Sequence, residues 1–444
     1  MQNPEGYFKI ITYGCQMNQR DSEMMADLLE AAGYEPVAEL EAADVIILDT
    51  CCVREKAENK VYGQLGQLER LKSARPELII TVAGCMVQQP GAAEKIRRQA
   101  PYVDLLLGTH NLTELPQLIA EVRETRQSRV AVQEEAGPVR EDLPRRRARG
   151  SQAFVTITYG CNNYCSYCIV PYVRGPERSR QPEDILEEIM ELAAQGVTEV
   201  TLLGQNVNSY GRDLGKDIDF AGLLKKVNEV EQLRRIRYMT SHPRDFTPEL
   251  IKTLAGLEKV CEHVHLPVQA GSNRILELMN RGYSREYYLE LVASLRRYIP
   301  GVSLTTDLIV GFPGEKEEDF AATLDLVAKV QYDNAFTFMY SPRKGTVAAS
   351  LPDQLPLEIK KERLKRLMEL QNQISLTKNE ALVGEEIEVL VEGPSKTDPT
   401  KVSGRTRTNK LVIFPGGPEL TGRYVKVKLT KAQTWLLKGE LVGG

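Results

Sequence analysis

Short apolar segments alternate with helical patterns along most of this chain, and this alternation restricts the fold more than any other feature. In the first part of the sequence, apolar segments occupy residues 7–14, 44–50, 77–84 and 102–108. Stretches between them, such as DSEMMADLLEAAG, carry apolar residues at helical spacing. Alternation of strand and helix is typical of a parallel α/β sheet. We therefore predict an N-terminal parallel α/β domain over residues 1–124.

The segment over 125–150 is polar, and we predict that it is a linker. The alternation then resumes, with strands predicted near 152–159, 198–204, 235–241, 263–268, 303–310 and 334–340. These units lack the glycine fingerprint of dinucleotide-binding sheets, which favours a partial (β/α)6 barrel over a doubly wound sheet. We predict this central barrel over residues 151–377.

The last part of the chain, residues 378–444, has a different pattern. Its alternating segments with glycines between them predict a small antiparallel β-barrel. From Lys396 to the end there are ten Lys or Arg and three Asp or Glu, a local charge of +7 in a chain of net charge −4. This basic end indicates an anionic partner such as nucleic acid, although a solvated basic face that binds nothing fits equally well. The candidate RNA-binding residues are Arg405, Arg407, Lys410, Arg423, Lys426 and Lys428.

Length and composition limit the class of protein. A chain of 444 residues is too long for one ordinary core and predicts two or three domains. No apolar run approaches a membrane span, and the first residues lack the pattern of a secretion signal. We expect a cytoplasmic protein without a membrane partner, whose eight cysteines are reduced and serve as metal ligands or redox groups where they are grouped.

Three cysteines of the first part each follow a predicted strand, and these are Cys15, Cys51 and Cys85. Because the loops after parallel strands gather along one edge of a sheet, these thiols can converge in space. A single buried cysteine is usually inert, but three in equivalent positions indicate a shared metal site. Cys52 is adjacent to Cys51 and would point elsewhere, and the choice of Cys51 from this pair also rests in part on a family resemblance. Cys261 has no other cysteine near it in sequence and is expected in the core.

A second group of cysteines follows the first strand of the central part, in TYGCNNYCSYC. Its members Cys161, Cys165 and Cys168 have the spacing C-x3-C-x2-C. Structural zinc takes four ligands, and iron–sulfur clusters are also usually held by four. One interpretation is a zinc site completed by a histidine, and the candidates are His242, His263 and His265. The other is a 4Fe–4S cluster whose fourth iron is open to a substrate or cofactor, and the short loop fits this interpretation better.

With Tyr167 before its last cysteine, this motif resembles that of the radical S-adenosylmethionine enzymes. The resemblance extends over the whole chain to the methylthiotransferase family within that superfamily. The segments that look like its motifs are TYGCQMNQRDSE, DTCCVREKAENKV, SHPRDFTPELI, HLPVQAGSNRILELMNRGY and TDLIVGFPGE, and GRTRTNKLVIF looks like its RNA-binding TRAM domain. Two cysteine triads in this order before a basic barrel are highly specific. One departure is Cys52, where relatives often carry Ser or Ala, and it affects the choice of ligand at that site.

The resemblance implies two 4Fe–4S clusters and S-adenosylmethionine as cofactors. Cys161, Cys165 and Cys168 would hold the cluster that binds S-adenosylmethionine, and Cys15, Cys51 and Cys85 would hold an auxiliary cluster. The residues implied to lie near S-adenosylmethionine are Tyr167, Gly204, Gln205, Gln269, Ser272, Arg281, Gly311, Pro313 and Gly314. Gln269 and Ser272 could contact its ribose, and no side chain is implied as an acid or base. Turn formation explains each glycine equally well, and a solvated position explains Arg281.

The resemblance also implies a reaction and its partners. The expected enzyme inserts sulfur and a methyl group at carbon 2 of N6-isopentenyladenosine at position 37 of tRNA. Its partners would be a tRNA anticodon stem-loop, an electron donor such as flavodoxin or ferredoxin, and iron–sulfur assembly proteins. Relatives modify threonylcarbamoyl-adenosine in tRNA or an aspartate of a ribosomal protein, and the basic end favours RNA. The alternative from another class is a non-catalytic, zinc-stabilised RNA-binding protein.

Overall fold

A computed structural model describes residues 4–52, 55–139, 141, 148–215 and 218–443, with the backbone alone at 55–57. The N-terminal unit contains strands β1 (Gly6–Thr12), β2 (Tyr34–Pro36), β3 (Val45–Thr50), β4 (Ile79–Gly84), β5 (Leu105–Leu107) and β6 (Arg129–Ala131). Its helices are α1 (Gln16–Ala31), α2 (Glu55–Ala74), α3 (Ala92–Gln99) and α4 (Leu115–Thr125). The strands form a parallel sheet in the order β2-β1-β3-β4-β5-β6.

Helices cover both faces of this sheet. Because β3 is buried along its whole length, its successive side chains enter opposite layers. Ile46 and Leu48 pack in the layer of α2 and α3, whereas Val45 and Ile47 pack in the layer of α1 and α4. The predicted α/β domain is therefore confirmed, with the carboxyl ends of the strands on one edge.

The N-terminal sheet extends beyond the strands that the sequence predicts. The strands β2 and β6 add its two edges, and β6 lies inside the segment 125–150 predicted as a linker. Both strands span three residues and are partly exposed, so they lack the long apolar runs that revealed the others. The rest of that segment is described only in part, because residues 140 and 142–147 lie outside the described residues.

The central unit alternates strands and helices. Its strands are β7 (Gln152–Thr156), β8 (Thr158–Tyr159), β9 (Arg178–Ser179), β10 (Glu199–Leu203), β11 (Arg235–Tyr238), β12 (His263–His265), β13 (Ser303–Val310) and β14 (Asn334–Met339). Its helices are α5 (Val170–Arg174), α6 (Pro182–Ala194), α7 (Phe220–Asn228), α8 (Pro248–Gly256), α9 (Asn273–Leu278), α10 (Arg285–Tyr298), α11 (Glu317–Val330) and α12 (Leu357–Glu380).

Parallel pairing arranges these strands in the orders β11-β10-β7 and β12-β13-β14, and a single parallel bridge joins Ile236 to Val260 between them. The short strands β8 and β9 pair antiparallel beside the main strands. The main hydrophobic core of this unit extends from Val155 of β7 to Val310 of β13, and a smaller cluster forms around Ile275 of α9 and Phe312. Each predicted central strand has its counterpart here.

The C-terminal unit is a closed barrel of the strands β15 (Glu386–Pro394), β16 (Lys401–Thr406), β17 (Leu411–Pro415), β18 (Tyr424–Ala432) and β19 (Leu437–Leu441). Their order around the barrel is β15-β16-β17-β19-β18. The prediction of a small barrel is confirmed, but the pairing is mixed because β17 and β19 run parallel. A hairpin joins β18 to β19, and β19 then closes the barrel on the far side against β17. None of the described helices is long and apolar enough to cross a membrane.

Candidate iron–sulfur and cofactor site

The first cysteine group lies on the loops after β1, β3 and β4, and its members are Cys15, Cys51 and Cys85. Two glycines let these loops approach one another closely. A Cβ atom on Gly14 would lie 2.9 Å from the Cβ of Cys51, and one on Gly84 would lie 2.7 Å from the backbone oxygen of Thr50. The structure therefore brings these loops together at the carboxyl edge of the N-terminal sheet.

The thiols at this edge interact with one another. Cys52 and Cys85 share a hydrogen bond, and Cys15 interacts electrostatically with Cys85. The hydrogen bond from Cys52 lowers the pKa of Cys85 to about 7, an effect that burial opposes and Arg174 reinforces. A thiol that ionises near neutral pH is suited to bind metal as the thiolate. Cys52 also packs against the central unit, in a cluster with Ile169.

Asn18 fixes the position of Cys15 at the start of α1. Its side-chain oxygen accepts hydrogen bonds from the backbone nitrogen of Cys15 at 3.3 Å and from its thiol at 3.6 Å. Its amide nitrogen donates to Asp49 at 3.1 Å and to the backbone oxygen of Thr50 at 3.2 Å. The Ser22 hydroxyl donates to Asp49 at 2.9 Å. This network ties the start of α1 to the end of β3.

Arg174 connects the first cysteine group to the central unit, and the sequence analysis did not select it. It is the last residue of α5, and its side chain is only 8% exposed. Its guanidinium pairs with Asp21 of α1 at 2.6 Å and forms a hydrogen bond with Cys85. The segment IVPYVRG offers no signal of this role, because Arg174 and Asp21 are 153 residues apart in sequence.

The second cysteine group lies between β8 and α5, and its members are Cys161, Cys165 and Cys168. The backbone nitrogen of Cys168 donates to the backbone oxygen of Cys165 at 2.9 Å, which closes a tight turn. Burial raises the pKa of Cys161 to about 11 and that of Cys168 to about 12, and the nearby Cys165 adds to both shifts. Burial therefore makes the thiolate forms of Cys161 and Cys168 costly, and a cationic metal group that binds them would offset this cost.

Arg281 places a positive charge beside this cysteine turn. One guanidinium nitrogen lies 3.2 Å from the sulfur of Cys165 and 3.3 Å from the hydroxyl oxygen of Tyr167. The others donate to the backbone oxygen of Pro267 at 2.6 Å and to the hydroxyl of Tyr283 at 3.0 Å. Since Arg281 is only 3% exposed, the solvated alternative for this residue is wrong.

Polar atoms without partners surround the same edge of the barrel. Among the described residues, both amide atoms of Gln205 and Nε2 of His242 are buried without a hydrogen-bond partner. Gln205 follows β10 and His242 follows β11, and the His242 ring lies 5.6 Å from that of Tyr283. Unpartnered buried polar atoms are costly unless a ligand satisfies them. The donor set of three thiols and these polar atoms therefore fits a cluster with an open iron and a polar cofactor.

Three other residues predicted to lie near S-adenosylmethionine differ in what the structure shows around them. Gln269 has a backbone φ of +75°, which is uncommon outside glycine and is often found at ligand sites. The hydroxyl of Ser272 donates to Asp319 at 2.6 Å, so its hydrogen already has a partner within the protein. A Cβ atom on Gly204 would lie 2.4 Å from the side chain of Thr158, so close packing requires this glycine.

The turn that contains Gly311, Pro313 and Gly314 is attached to α12. The backbone nitrogen of Gly311 donates to the Glu315 carboxylate at 3.0 Å, and this carboxylate pairs with the buried Arg363 of α12 at 2.6 Å. The backbone nitrogen of Gly314 donates to the backbone oxygen of Asp353 at 3.0 Å. These contacts explain the conformation of the turn without a ligand. The proximity of the turn to S-adenosylmethionine stays a prediction.

Two of the three histidines named for the zinc alternative give it no support. His263 and His265 both bond to the hydroxyl of Thr305, at 3.1 and 3.0 Å. Within the described part of the chain, no group of three or more His, Cys, Asp or Glu side chains is placed to hold a single metal ion. The two iron–sulfur clusters therefore stay predictions that rest on the cysteine placement and the resemblance.

The candidate RNA-binding residues fall into two classes. Three pair with carboxylates, and these pairs are Arg405–Glu392, Arg407–Glu262 and Lys410–Asp333, at 3.0, 2.7 and 3.0 Å. Glu262 and Asp333 belong to the central unit, so two of these pairs attach the C-terminal barrel to it. The other three are exposed, and they are Arg423, Lys426 and Lys428. Exposed cations of this kind can face the phosphates of an RNA.

Protein-family models match three parts of the chain. The radical SAM superfamily matches residues 155–327, the uncharacterized protein family UPF0004 matches residues 7–108, and the TRAM domain matches residues 380–442. Together with the fold and the cysteine turn, these matches define a radical S-adenosylmethionine protein with a C-terminal TRAM domain. The superfamily implies a 4Fe–4S cluster and S-adenosylmethionine.

Curated relatives match over nearly the whole length. The tRNA-2-methylthio-N(6)-dimethylallyladenosine synthase of Moorella thermoacetica is 78% identical over 437 residues, which is 98% of each chain. The proteins of the same name from Syntrophomonas wolfei and Desulforamulus reducens are 56% and 55% identical, over 98% and 100% of this chain and 97% and 96% of their own. The chain belongs to the tRNA-2-methylthio-N(6)-dimethylallyladenosine synthase family. The resemblance to radical S-adenosylmethionine methylthiotransferases is thereby confirmed.

Solved structures share the fold at low sequence identity. The radical S-adenosylmethionine methyltransferase TsrM from Kitasatospora setae, with cobalamin and a 4Fe–4S cluster bound, has a TM-score of 0.58 at 16% identity, covering 77% of each chain. The cobalamin-dependent radical enzyme OxsB has a TM-score of 0.54 at 13% identity, covering 83% of this chain and 57% of its own. At these identities the likeness concerns the fold alone.

Proposed function

We propose that this chain replaces the hydrogen at carbon 2 of N6-isopentenyladenosine, at position 37 of tRNA, with a methylthio group. The observation that carries the proposal is the 78% identity, over 98% of both chains, to a synthase whose name states the product. The chain's own residues agree with this reaction, because it has two separate cysteine groups and a basic C-terminal barrel.

The second cysteine group would hold the cluster that binds S-adenosylmethionine. When bound, this cluster and S-adenosylmethionine supply a 5′-deoxyadenosyl radical that removes a hydrogen atom from the substrate. Arg281, at 3.2 Å from Cys165, offers positive charge to the anionic group held there. Gln205 and His242 offer buried polar atoms to the cofactor. Burial of this edge keeps water away from a reactive intermediate.

The first cysteine group, on Cys15, Cys51 and Cys85, would hold a second cluster that provides sulfur. Its position supports this role. Helix α5 begins two residues after Cys168 and ends at Arg174, whose side chain is hydrogen-bonded to Cys85. A helix of five residues thus spans the two cysteine groups. A substrate base between them would be within reach of both.

The C-terminal TRAM barrel would hold the tRNA. A base in the single-stranded anticodon loop can be presented to an enzyme without melting a duplex. The proposal also requires an electron donor such as flavodoxin or ferredoxin, and iron–sulfur assembly proteins to load the clusters.

Mass spectrometry of nucleosides tests this proposal directly. We expect tRNA from cells without this protein to lose 2-methylthio-N6-isopentenyladenosine and to accumulate N6-isopentenyladenosine. The wild-type chain should restore the modified nucleoside, whereas a Cys161→Ala chain should not. Unchanged methylthio-isopentenyladenosine in the deletion strain would overturn the proposal. Loss of a methylthiolated threonylcarbamoyl-adenosine instead would assign the chain to that alternative substrate.

A further inference from the structure

The single tryptophan of the chain, Trp435, is exposed on a turn whose backbone is anchored to α12. It lies in the turn between β18 and β19, and 68% of its surface is exposed. The Asn379 amide of α12 anchors the turn, since it donates to the backbone oxygens of Gln433 at 2.8 Å and of Thr434 at 3.1 Å. An exposed indole is a typical contact for another molecule.

Trp435 borders two adjoining cavities. One has a volume of about 710 Å³ and lies between α1, the central strands and the C-terminal barrel, with Gln19, Arg237 and Lys410 among its lining residues. The other has a volume of about 310 Å³ and lies along β14 and α12. Phe336 of β14 lines both cavities together with Trp435 and is itself 44% exposed. The two aromatic side chains therefore lie where the two cavities adjoin.

Two lysines belong to the strand pair that carries the tryptophan turn. Lys431 of β18 and Lys438 of β19 are paired in the strand register, which shifts between Leu429 and Lys431, and both are exposed. Like charges at opposed positions of a strand pair repel and destabilise the pair. A phosphate group between the two ammonium groups would relieve this repulsion. The local charge of +7 from Lys396 to the end favours the same kind of ligand.

We propose that Trp435 stacks on an unpaired base of the tRNA anticodon loop, while Lys431 and Lys438 hold the neighbouring phosphates. The inference rests on the proposed tRNA substrate and adds the residues that grip it. A ring that stacks on a base, next to cations that track the backbone, is the combination that single-stranded nucleic acid requires. A paired stem offers no exposed base face, so the contact selects the loop and places it beside the two cavities.

Because Trp435 is the only tryptophan, its fluorescence reports on this contact without engineering. The loop probe is a synthetic anticodon stem-loop RNA that carries N6-isopentenyladenosine, and the control probe is a duplex of the same stem without the loop. We expect the loop probe to quench the emission of the full-length protein, and the duplex to leave it nearly unchanged.

Substitution measures the strength of the contact. Trp435→Ala should weaken binding of the loop probe by about tenfold, since the stacking of one base is lost, and Trp435→Phe should weaken it less. Lys431→Ala should weaken binding and flatten its salt dependence. The control is Tyr298→Ala, which removes an aromatic side chain that is 45% exposed on α10, and it should bind as the parent does.

The inference is overturned by unchanged emission at saturating loop probe, by equal quenching with the duplex, or by parental affinity in Trp435→Ala. Quenching by flavodoxin in place of RNA would also overturn it and assign the surface to a protein. Emission of the unaltered protein decides the matter even if a variant does not fold. Product assays separate the two proposals: a parent that binds the loop with quenching but forms no methylthio product contradicts the proposed function alone.

Discussion

At the scale of single residues, Arg174 links the chemistry of two units. Its guanidinium is buried, belongs to the central unit and contacts both Asp21 and Cys85 of the N-terminal unit. A buried arginine is stable only with partners that offset its lost hydration. Here one partner is a carboxylate and the other is a candidate cluster ligand, so the same side chain stabilises the interface and the first cysteine group.

Replacement of Arg174 should therefore affect the predicted auxiliary cluster more than the predicted cluster of the second cysteine group. We expect Arg174→Gln to lower the melting temperature, because loss of one partner from a buried pair costs about 3–5 kcal/mol, and to reduce the iron bound after anaerobic reconstitution. Formation of 5′-deoxyadenosine from S-adenosylmethionine should persist. The matched control is Arg20→Gln, since Arg20 pairs with Glu188 across the same interface at 3.4 Å. An Arg174→Gln protein with the full iron content of the parent would contradict a role of Arg174 in stabilising the first cysteine group.

The neighbours Cys51 and Cys52 give a second prediction at this scale. Cys52 is hydrogen-bonded to Cys85 and packs against Ile169 and Val173 of the central unit, so its side chain helps to enclose the site. We expect Cys51→Ala to abolish the methylthio product and Cys52→Ala to retain it at a reduced rate. Nucleoside chromatography after reaction with the stem-loop RNA distinguishes them. Full activity in Cys51→Ala and none in Cys52→Ala would transfer the ligand role to Cys52.

At the scale of elements, burial decides what the sequence could predict. The strands β3, β4 and β13 are buried almost throughout, and their continuous apolar runs made them visible. The edge strands β2 and β6 are short and partly exposed, so their residues resemble those of loops. The parallel pairing of β17 with β19 depends on how the barrel closes, and local sequence patterns do not predict it.

The same limit applies to the candidate site. The cysteine loops could be placed because each follows an apolar strand, whereas the ion pairs of Arg174 and Lys410 join residues distant in sequence. The sequence alone does not distinguish a basic residue that faces a phosphate from one that pairs with a carboxylate. The sequence therefore selected Arg407 and Lys428 together, although the first pairs with Glu262 and the second is exposed.

This difference predicts separate effects for the two basic residues. We expect Lys428→Ala to weaken binding of a labelled anticodon stem-loop and to lower the salt slope by about one, as loss of one phosphate contact does. Arg407→Ala should leave the slope unchanged and instead lower the melting temperature, since it releases Glu262 and the carbonyl groups that its guanidinium contacts. Fluorescence anisotropy over a salt series measures the first effect and calorimetry the second. Equal salt slopes for Lys428→Ala and the parent would remove Lys428 from the RNA contact.

At the scale of the whole molecule, the cysteine groups belong to units with separate cores. The N-terminal sheet packs between its own helices, and the central strands enclose a different core. Between the units lie ion pairs such as Arg149–Asp27 at 3.1 Å and Arg174–Asp21 at 2.6 Å. Each unit therefore has a core of its own to support its cysteine group. The ion pairs, together with the packing of Cys52 and Cys85 against Ile169 and Val173, fix the position of one cysteine group relative to the other.

This organisation predicts that the two clusters assemble and act separately. We expect the parent to bind about eight irons per chain, from two 4Fe–4S clusters, and both Cys15→Ala and Cys161→Ala to bind about four. Cys161→Ala should form neither 5′-deoxyadenosine nor product, because it lacks the ligand for the cluster that cleaves S-adenosylmethionine. Cys15→Ala should still form 5′-deoxyadenosine under reducing anaerobic conditions, yet no methylthio nucleoside, because the sulfur source is lost. Iron and sulfide analysis with paired chromatography of both compounds measures all of these outcomes. A folded Cys15→Ala protein with about four irons and full methylthio product would show that the first cysteine group does not supply the sulfur.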